Sequence, residues 1–315
     1  MKWIVKLLKY LLLLGVIGIA VAGILIGGTY LHFKSELPST ENLRQVQLQV
    51  PLRIYSADRK LMAEYGEQRR LPVTYDEVPE KMAQAFLAAE DHNFFKHLGV
   101  DPTGLARAAI QLAITGKRSQ GGSTITMQLA RNFYLSSKRT YTRKIREIFL
   151  ALHIEQELSK QEILELYLNK IYLGHRSYGV GAAAQVYYDK TIDQLSLAET
   201  AMIAGLPKAP SKYNPITDPQ RAVLRRNYII NRMRVLGYVD DAQADAALSA
   251  PVTAKAHHAK TELSAPYMAE MARKYMVDQY GADAYTSGFH VFTTLSSRLQ
   301  LAADEGLAIA LEAYD

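Results

Sequence analysis

Glu90 and Asp91 stand side by side at what reads as the end of a helix, with Phe86 before them and His92, Phe94 and His97 after. A carboxylate held against two phenylalanines loses solvation, and its pKa rises toward the range of a general acid or base. The same pair also reads as a polar helix end facing water. Further on, Gly121-Gly122-Ser123-Thr124 opens another helix. The glycines permit a tight backbone, and Ser123 or Thr124 can cap the first free N–H groups. On that helix Ile125, Leu129 and Phe133 form an apolar stripe, and Thr124, Gln128 and Arg131 line up polar groups on another face. The next helix gathers Arg143, Lys144 and Glu147, set opposite an inward face of Ile145, Ile148, Phe149 and Leu152. A helix N-terminus, several cations and one carboxylate in so short a span suit an anionic, phosphorylated ligand. The competing reading is a solvated amphipathic helix with ordinary surface ion pairs.

Other chemistries find less support. His92 and His97 are poorly spaced for one helical face, and no His-Glu-x-x-His zinc pattern occurs. Gly179-Val180-Gly181-Ala182-Ala183-Ala184 matches a dinucleotide fingerprint in letters, but no buried strand precedes it. Close helix packing explains it better. No phosphate-loop motif, no Gly-x-Ser-x-Gly and no Ser-x-x-Lys is present. The absence of cysteine excludes disulfides, thiolate metal sites and a cysteine nucleophile.

The elements that must position these residues begin with a membrane anchor. Lys2, Lys6 and Lys9 precede an uncharged run from Tyr10 to Leu31, long enough for a bilayer core, which takes about 20 residues. The lysines put the N-terminus in the cytoplasm and the rest outside. Ala20-Val21-Ala22 resembles a signal-peptide cleavage site, but the apolar run continues well past it, so an uncleaved anchor is favoured. The 315 residues carry a net charge of +6, which fits an anionic partner or membrane surface. An extracytoplasmic, tethered domain sets nucleic acid aside.

After a polar linker, Pro51 to Tyr75 reads as short strands around the turn Ser56-Ala57-Asp58-Arg59. A helix after Pro79 runs into the Glu90 region. Pro102 starts an apolar helix, Leu105 to Ile114, followed by the basic loop Gly116 to Gln120. That pair either dips into the membrane interface or is an ordinary buried helix and loop. Ser159-Lys160-Gln161-Glu162 and Ser196-Leu197-Ala198-Glu199 are capping boxes; the first helix is expected through Tyr172, and Gly205-Leu206-Pro207 closes the second. Asp218 to Leu236 reads as a basic helix, Asp241 to Leu248 as a short one, Pro251 to Ser264 as a linker and Tyr267 to Tyr280 as a helix. A strand over Phe289 to Thr294 and a helix over Ser296 to Ala313 have no obvious partners.

Five ordered motifs in this chain resemble those of the peptidoglycan glycosyltransferases, glycosyltransferase family 51. They are Glu90-Asp91-x-x-Phe94-x-x-His97-x-Gly99, Gly121-Gly122-Ser123-Thr124-Ile125-Thr126-x-Gln128-x-x-Arg131-Asn132, Arg143-Lys144-x-x-Glu147, Glu162-Ile163-Leu164-Glu165-x-Tyr167-Leu168-Asn169 and Ala204-Gly205-Leu206-Pro207-x-Ala209-Pro210. The tail, with Ser264-Ala265-Pro266-Tyr267 and Phe292-Thr293-Thr294, resembles the class A, bifunctional penicillin-binding proteins of Gram-negative bacteria. The resemblance implies a mainly α, lysozyme-like domain with a small membrane-facing jaw between Val100 and Gln120, preceded by one transmembrane helix. It implies polymerisation of lipid II into β-1,4 glycan with inversion and release of undecaprenyl pyrophosphate. Glu90 matches the base, and Glu147 the second carboxylate, which holds a divalent cation (Mg or Mn), orients Lys144, or both. Ser123, Thr124, Gln128, Arg131, Asn132, Arg139, Arg143, Lys144 and Lys208 match substrate-binding positions. Met127 stands where many members have a second Gln, and Arg131 replaces the commoner Lys.

The implied partners are lipid II, undecaprenyl-pyrophosphate-linked glycan, the membrane and other cell-wall-synthesis proteins. The implied location is the inner membrane, single-pass, with the catalytic domain periplasmic. The expected organisation is a cytoplasmic tail (1–9), transmembrane helix (10–31), linker (32–50), glycosyltransferase domain (51–237), linker region (238–288) and the start of an incomplete transpeptidase-side domain (289–315). A lytic, glycan-cleaving enzyme and a non-catalytic anchored scaffold are the alternatives.

Overall fold

The computed structural model describes residues 2–34, 43, 49–66, 68–116, 122–134, 140–257 and 261–314. In chain order these form α1 (Lys2–Lys34), β1 (Leu52–Tyr55), β2 (Leu61–Tyr65), β3 (Arg69–Arg70), α2 (Glu80–Glu90), α3 (Pro102–Thr115), α4 (Ile125–Tyr134), α5 (Tyr141–Glu157) and α6 (Lys160–Lys170). There follow β4 (Ser177–Tyr178), α7 (Val180–Tyr188), α8 (Leu197–Gly205), α9 (Pro219–Val235), α10 (Asp241–Ser249), α11 (Pro266–Tyr280), β5 (His290–Phe292) and α12 (Ser297–Tyr314). The mainly α expectation holds.

Local chemistry starts these helices where the sequence says it should. Ser159 and Ser196 accept from the third helical N–H of α6 and α8, and Glu162 and Glu199 reach back to the cap N–H at 2.7 and 2.8 Å. Asp218 and Asp240 cap α9 and α10 at 3.1 and 2.7 Å. Each such cap is worth about 1 kcal/mol. α6 stops at Lys170 rather than Tyr172, because Ile171 turns extended and Tyr172 bridges to Tyr178 instead. α7 is buried along nearly its whole length, so the Gly-x-Gly-x-x-Ala run is a packing surface, as expected.

The segment expected to span the bilayer is one helix of 33 residues, about 50 Å long at 1.5 Å per residue. Among the described residues no helix is long and apolar enough to cross a membrane, and part of α1's side chains lie outside that set. The basic loop after α3 lies mostly outside the described residues.

Two hydrophobic cores organise the rest. The larger joins α2, α4, α5, α6, α7, α8 and α9 through residues such as Phe86, Leu129, Ile154, Tyr167, Ile203 and Ile229. The smaller collects Leu52, Ile54 and Met62 from β1 and β2 with Leu263, Ala269, Met276 and Ala284. The final strand does have a partner: β5 pairs in parallel with β1, in a sheet of order β2-β1-β5. Local periodicity cannot reveal this, since Thr293 donates to Tyr55 across 238 positions of sequence. Leu52–Tyr65 therefore pack with the chain's last third, away from the large core. The segment 251–257 also docks, with Lys255 and His257 N–H groups donating to Tyr187 and Val186 carbonyls at 3.0 and 2.9 Å. α12 buries no residue.

Candidate active site

The α2 helix ends at Glu90, and the extended backbone of Asp91 turns the chain away. The Asp91 carboxylate, 4% exposed, does two jobs. It accepts from the Ile125 N–H at 3.0 Å, satisfying a free donor at the start of α4. Both its oxygens lie 3.0 Å from His97 Nε2, which must then carry a proton to bond them. Thr124 completes the cap, accepting from Met127 N–H at 3.1 Å while its hydroxyl donates to the Gly99 carbonyl. Gly99 has φ +81°, and a Cβ there would come within 2.7 Å of the Ala151 carbonyl on α5. A side chain there would force these elements apart.

A second set of buried bonds fixes the same segment from below. Lys160 donates to the His97 carbonyl at 2.7 Å and to Glu155 at 2.8 Å, and lies 4.4 Å from the Phe94 ring centre. Thr126 donates to the same Glu155 oxygen at 2.6 Å. The stretch from Asp91 to Gly99 is thereby tied to α4, α5 and α6 at once, which holds Glu90 at a defined place beside α4.

Glu90, with its side chain 14% exposed, accepts from Gln128 Nε2 at 3.0 Å. Gln128 is oriented by Tyr167, whose buried hydroxyl donates to its Oε1 at 3.4 Å. Burial drives the Tyr167 pKa up, so the phenol stays a donor. From the other side Arg225 Nη2 donates to Glu90 Oε1 at 3.3 Å and to the Ala89 carbonyl at 3.4 Å. Gly205 makes room for it: a Cβ there would lie 2.9 Å from Arg225 Cγ. Burial raises the Glu90 pKa, opposed by the Gln128 bond and by the charges of Arg225, Lys208 and Arg131. A carboxylate raised yet still surrounded by cations is suited to taking a proton near neutral pH.

Glu147 forms the second centre, only 2% exposed. Arg143 Nε lies 3.0 Å from one of its oxygens, and Lys144 Nζ donates to the other at 2.9 Å. Lys144 also donates to Ser123 Oγ at 2.6 Å. The start of α4 thus lies between the two carboxylates, with Ser123 turned to Glu147 through Lys144 and Gln128 turned to Glu90.

The placement of Glu147 corrects the expected face of α5. The buried positions are Glu147, Leu150, Ala151, Ile154 and Leu158, whereas Leu152 is 39% exposed and Ile145, Ile148 and Phe149 are half-buried. The helix is rotated so that Glu147, facing Arg143 and Lys144, points inward with an apolar stripe, and Glu155 on the same helix is likewise shielded against Lys160. The residual apolar positions line its outer side.

The remaining expected site residues divide. Arg131 is half-buried on α4 and acts on Glu90 through its charge. Lys208 is exposed, acts on Glu90 in the same way, and lies 5.7 Å from the Tyr213 ring centre. Asn132 is half-buried on α4, and Met127 is fully buried, consistent with an apolar residue at that position. Arg139 and Gly121 lie outside the described residues. Arg225 was not among the expected site residues. Its signal was present: Ala222, Arg225, Ile229 and Met233 share the buried face of α9, and an arginine on an apolar face needs an acidic partner.

The expected metal at Glu147 meets a poor donor set. Both Glu147 oxygens face cations, and among the described residues no group of three His, Asp or Glu side chains gathers. The described residues do not fit a metal cage of their own.

A family model described as Transglycosylase matches residues 58–234. The chain belongs to the transglycosylase family. That makes it, by class, a peptidoglycan glycosyltransferase of cell-wall synthesis. Penicillin-binding protein 1A of Vibrio cholerae is 52% identical over 100% of this chain and 38% of its own length. Penicillin-binding protein 1A of Pseudomonas aeruginosa is 54% identical over 94% of this chain and 36% of its own length. A crystal structure of Penicillin-Binding Protein 1A from Haemophilus influenzae is 38% identical over 82% of this chain and 29% of that one, with a TM-score of 0.47. The chain therefore spans just over a third of the curated relatives it matches. All five motifs of this transglycosylase domain lie within the matched residues.

Proposed function

We propose that this domain joins lipid II units, with Glu90 as general base on the 4-hydroxyl of the incoming N-acetylglucosamine. An α-linked donor giving a β-linked product requires a single displacement, and one base suffices for it. Glu90 Oε2 is held by Gln128 and Oε1 by Arg225, so its lone pairs are aimed and not free to rotate. The leaving undecaprenyl pyrophosphate gathers negative charge, and Ser123, Lys144 and Arg143 at the start of α4 and α5 suit it, with Arg131, Arg139 and Asn132 given the same role by the family's motifs. Glu147 then serves to orient Lys144 and Arg143 instead of reacting itself.

The observation that carries this reading is a buried, pKa-raised carboxylate across one helix start from a cation cluster. A glycan-cleaving enzyme needs the carboxylate but has no use for the cations. The charge-free run of α1 supports an inner-membrane anchor with the catalytic domain periplasmic. Exposed Phe95, Leu98, Ile110 and Ile114 support a membrane-facing edge beside it, where a lipid-linked substrate would arrive. The longer parent protein is proposed to be also a penicillin-binding DD-transpeptidase working with other cell-wall-synthesis proteins; no Ser-x-x-Lys occurs in these 315 residues.

The test is incubation of the detergent-solubilised chain with labelled lipid II. Polymer that disappears in Glu90→Gln supports the reading. Cleavage of finished glycan without polymerisation points to a lytic enzyme, and binding without turnover to a scaffold.

A further inference from the structure

Arg225 and Arg226 are neighbours on α9, about 100° apart around the helix, so they serve different surroundings. Arg225 meets Glu90. Arg226, 3% exposed, turns to the end of α10. Its Nη1 donates to the Ala250 carbonyl at 2.7 Å, its Nη2 to the Leu248 carbonyl at 2.9 Å and its Nε to Asn227 Oδ1 at 3.0 Å. A cation on the last carbonyls of a helix is favoured by their unmatched dipoles. Ala250 also begins the segment that crosses α7 and α8. There Thr253 Oγ1 donates to Glu199 on α8 at 3.1 Å, and Lys255 and His257 bond to the α7 carbonyls. One buried side chain thus ties α9 to α10 and to the chain that follows it.

Arg225 has no such anchor of its own. Its bonds to Glu90 and to the Ala89 carbonyl are 3.3 and 3.4 Å, longer than the usual N–H···O range of about 2.7–3.2 Å, and its Nε is buried without a partner. Its stem lies against Gly205 with no clearance. Whether it reaches Glu90 is therefore set by where the backbone of α9 lies. The second half of α9 is fixed in the large core by Ile229, Ile230 and Met233, whereas the first half buries Ala222, Arg225 and Arg226. A cavity of about 90 Å³, lined by Tyr188, Glu199, Met202, Arg226, Ala250 and Thr253, adjoins the Arg226 contacts, so close packing does not substitute for them.

We propose that Arg226 is a positioning residue for the base: by holding the end of α10 it fixes the first half of α9, and so keeps Arg225 within reach of Glu90. It touches no reacting group and acts only through its neighbour. Glu90 is also faced by Gln128 and Arg131 from α4, Lys208 from the turn after α8, Tyr167 from α6 and Asp91 beside it, and none of these is tied to Arg226. Loss of Arg226 therefore removes one cation from Glu90 and leaves the rest. The carboxylate then holds its proton to higher pH, and the base is short of its ionised form on the acidic side. The inference rests on the polymerase reading for its activity assay, and a second assay needs no turnover.

The experiment follows lipid II polymerisation by the full, detergent-solubilised chain across a pH series, in wild type, Arg226→Met, Arg225→Met and the double variant. On the acidic side, kcat/KM of Arg226→Met is expected to fall about three- to tenfold, with a loss of about twofold or less where Glu90 is fully ionised. The double variant is expected to keep the acidic limb of Arg225→Met, because Arg226 acts through Arg225. Circular dichroism checks folding. Arg226→Gln, which keeps an amide donor for one carbonyl, carries the test if Arg226→Met does not fold, with a smaller loss of the same kind. A loss equal at every pH, an unmoved acidic limb, or a further move in the double variant overturns the inference. Thermal unfolding is the second assay. The part of the Arg226→Met deficit that is present at about pH 8 and shrinks toward about pH 5 should vanish when Arg225→Met is already in place. Absence of polymer in wild type would overturn the polymerase reading alone, since the unfolding series still tests Arg226.

Discussion

Replacing Arg225 by Met removes the cation that faces Glu90 from α9 and keeps most of the stem's volume. Two unit charges 3.3 Å apart attract by about 5 kcal/mol at an effective dielectric near 20. Desolvating both groups returns much of that, and the other groups facing Glu90 remain: Gln128 and Arg131 on α4, Lys208 in the turn after α8, and Tyr167 and Asp91 nearby. A net loss of about 2–3 kcal/mol at neutral pH is expected, because a buried carboxylate is left under-compensated. The sign with pH follows from the direction of the Glu90 shift. Its folded pKa already lies above the usual value, so it binds a proton more tightly folded than unfolded, and removing Arg225 drives it further up. The stability deficit of Arg225→Met should therefore be full at alkaline pH and shrink as pH falls and Glu90 protonates. Activity moves the opposite way. The base works only when ionised, so the acidic limb of kcat/KM against pH should move to higher pH. Lipid II polymerisation across a pH series, with thermal unfolding at about pH 5 and about pH 8, reads both. An acidic limb that does not move in Arg225→Met would refute the assignment of this arginine, whatever happens to the maximum rate.

Glu90→Gln keeps the shape and the Gln128 contact but removes the base, and should lower polymerisation by about 10²–10⁴-fold with little change in Tm. Asp91→Ala strands the Ile125 N–H and the His97 ring, and should cost about 2–4 kcal/mol, read as a lower midpoint in urea. Lys144→Ala should lower kcat/KM about 10–100-fold and abolish protection by inorganic pyrophosphate against thermal unfolding, while Lys144→Arg retains part of both. A divalent cation is expected to act on the substrate's pyrophosphate and not in a protein cage. Calorimetric titration of Mg into the substrate-free chain should then find nothing tighter than roughly millimolar, and a micromolar site would overturn this.

Helix starts were the most legible feature, because a cap is a local event: Ser159, Ser196, Asp218 and Asp240 each act within three residues. The site was legible as two clusters, with Glu90 in one and Lys144 and Glu147 in the other. Which way α5 faces was not. Counting hydrophobic residues assigned Glu147 to the outside, since a lone carboxylate is rarely buried. Burial became favourable only through Arg143 and Lys144 on the same helix, a compensation invisible to a hydrophobicity pattern. Arg225 escaped notice for a related reason: its partner lies 135 positions away, and only the α8–α9 packing brings them together. Long-range strand pairing was the least legible, as β5 against β1 shows.

That pairing also sets an order of events during synthesis. β1 and β2 can close as a hairpin as soon as both have emerged, with Ser56 bonding the turn. The other edge of β1 then stays open until β5 has been made. At about 5–20 residues per second, the separation of 238 positions between Tyr55 and Thr293 means roughly 12–48 seconds with an unpaired strand edge. In that interval the large, mainly helical core can complete itself, since all its buried residues except Leu43 lie between the two strands. The sheet is thus the last part of the chain to close, and its open edge is the place where a nascent chain is most exposed to pairing with a neighbour.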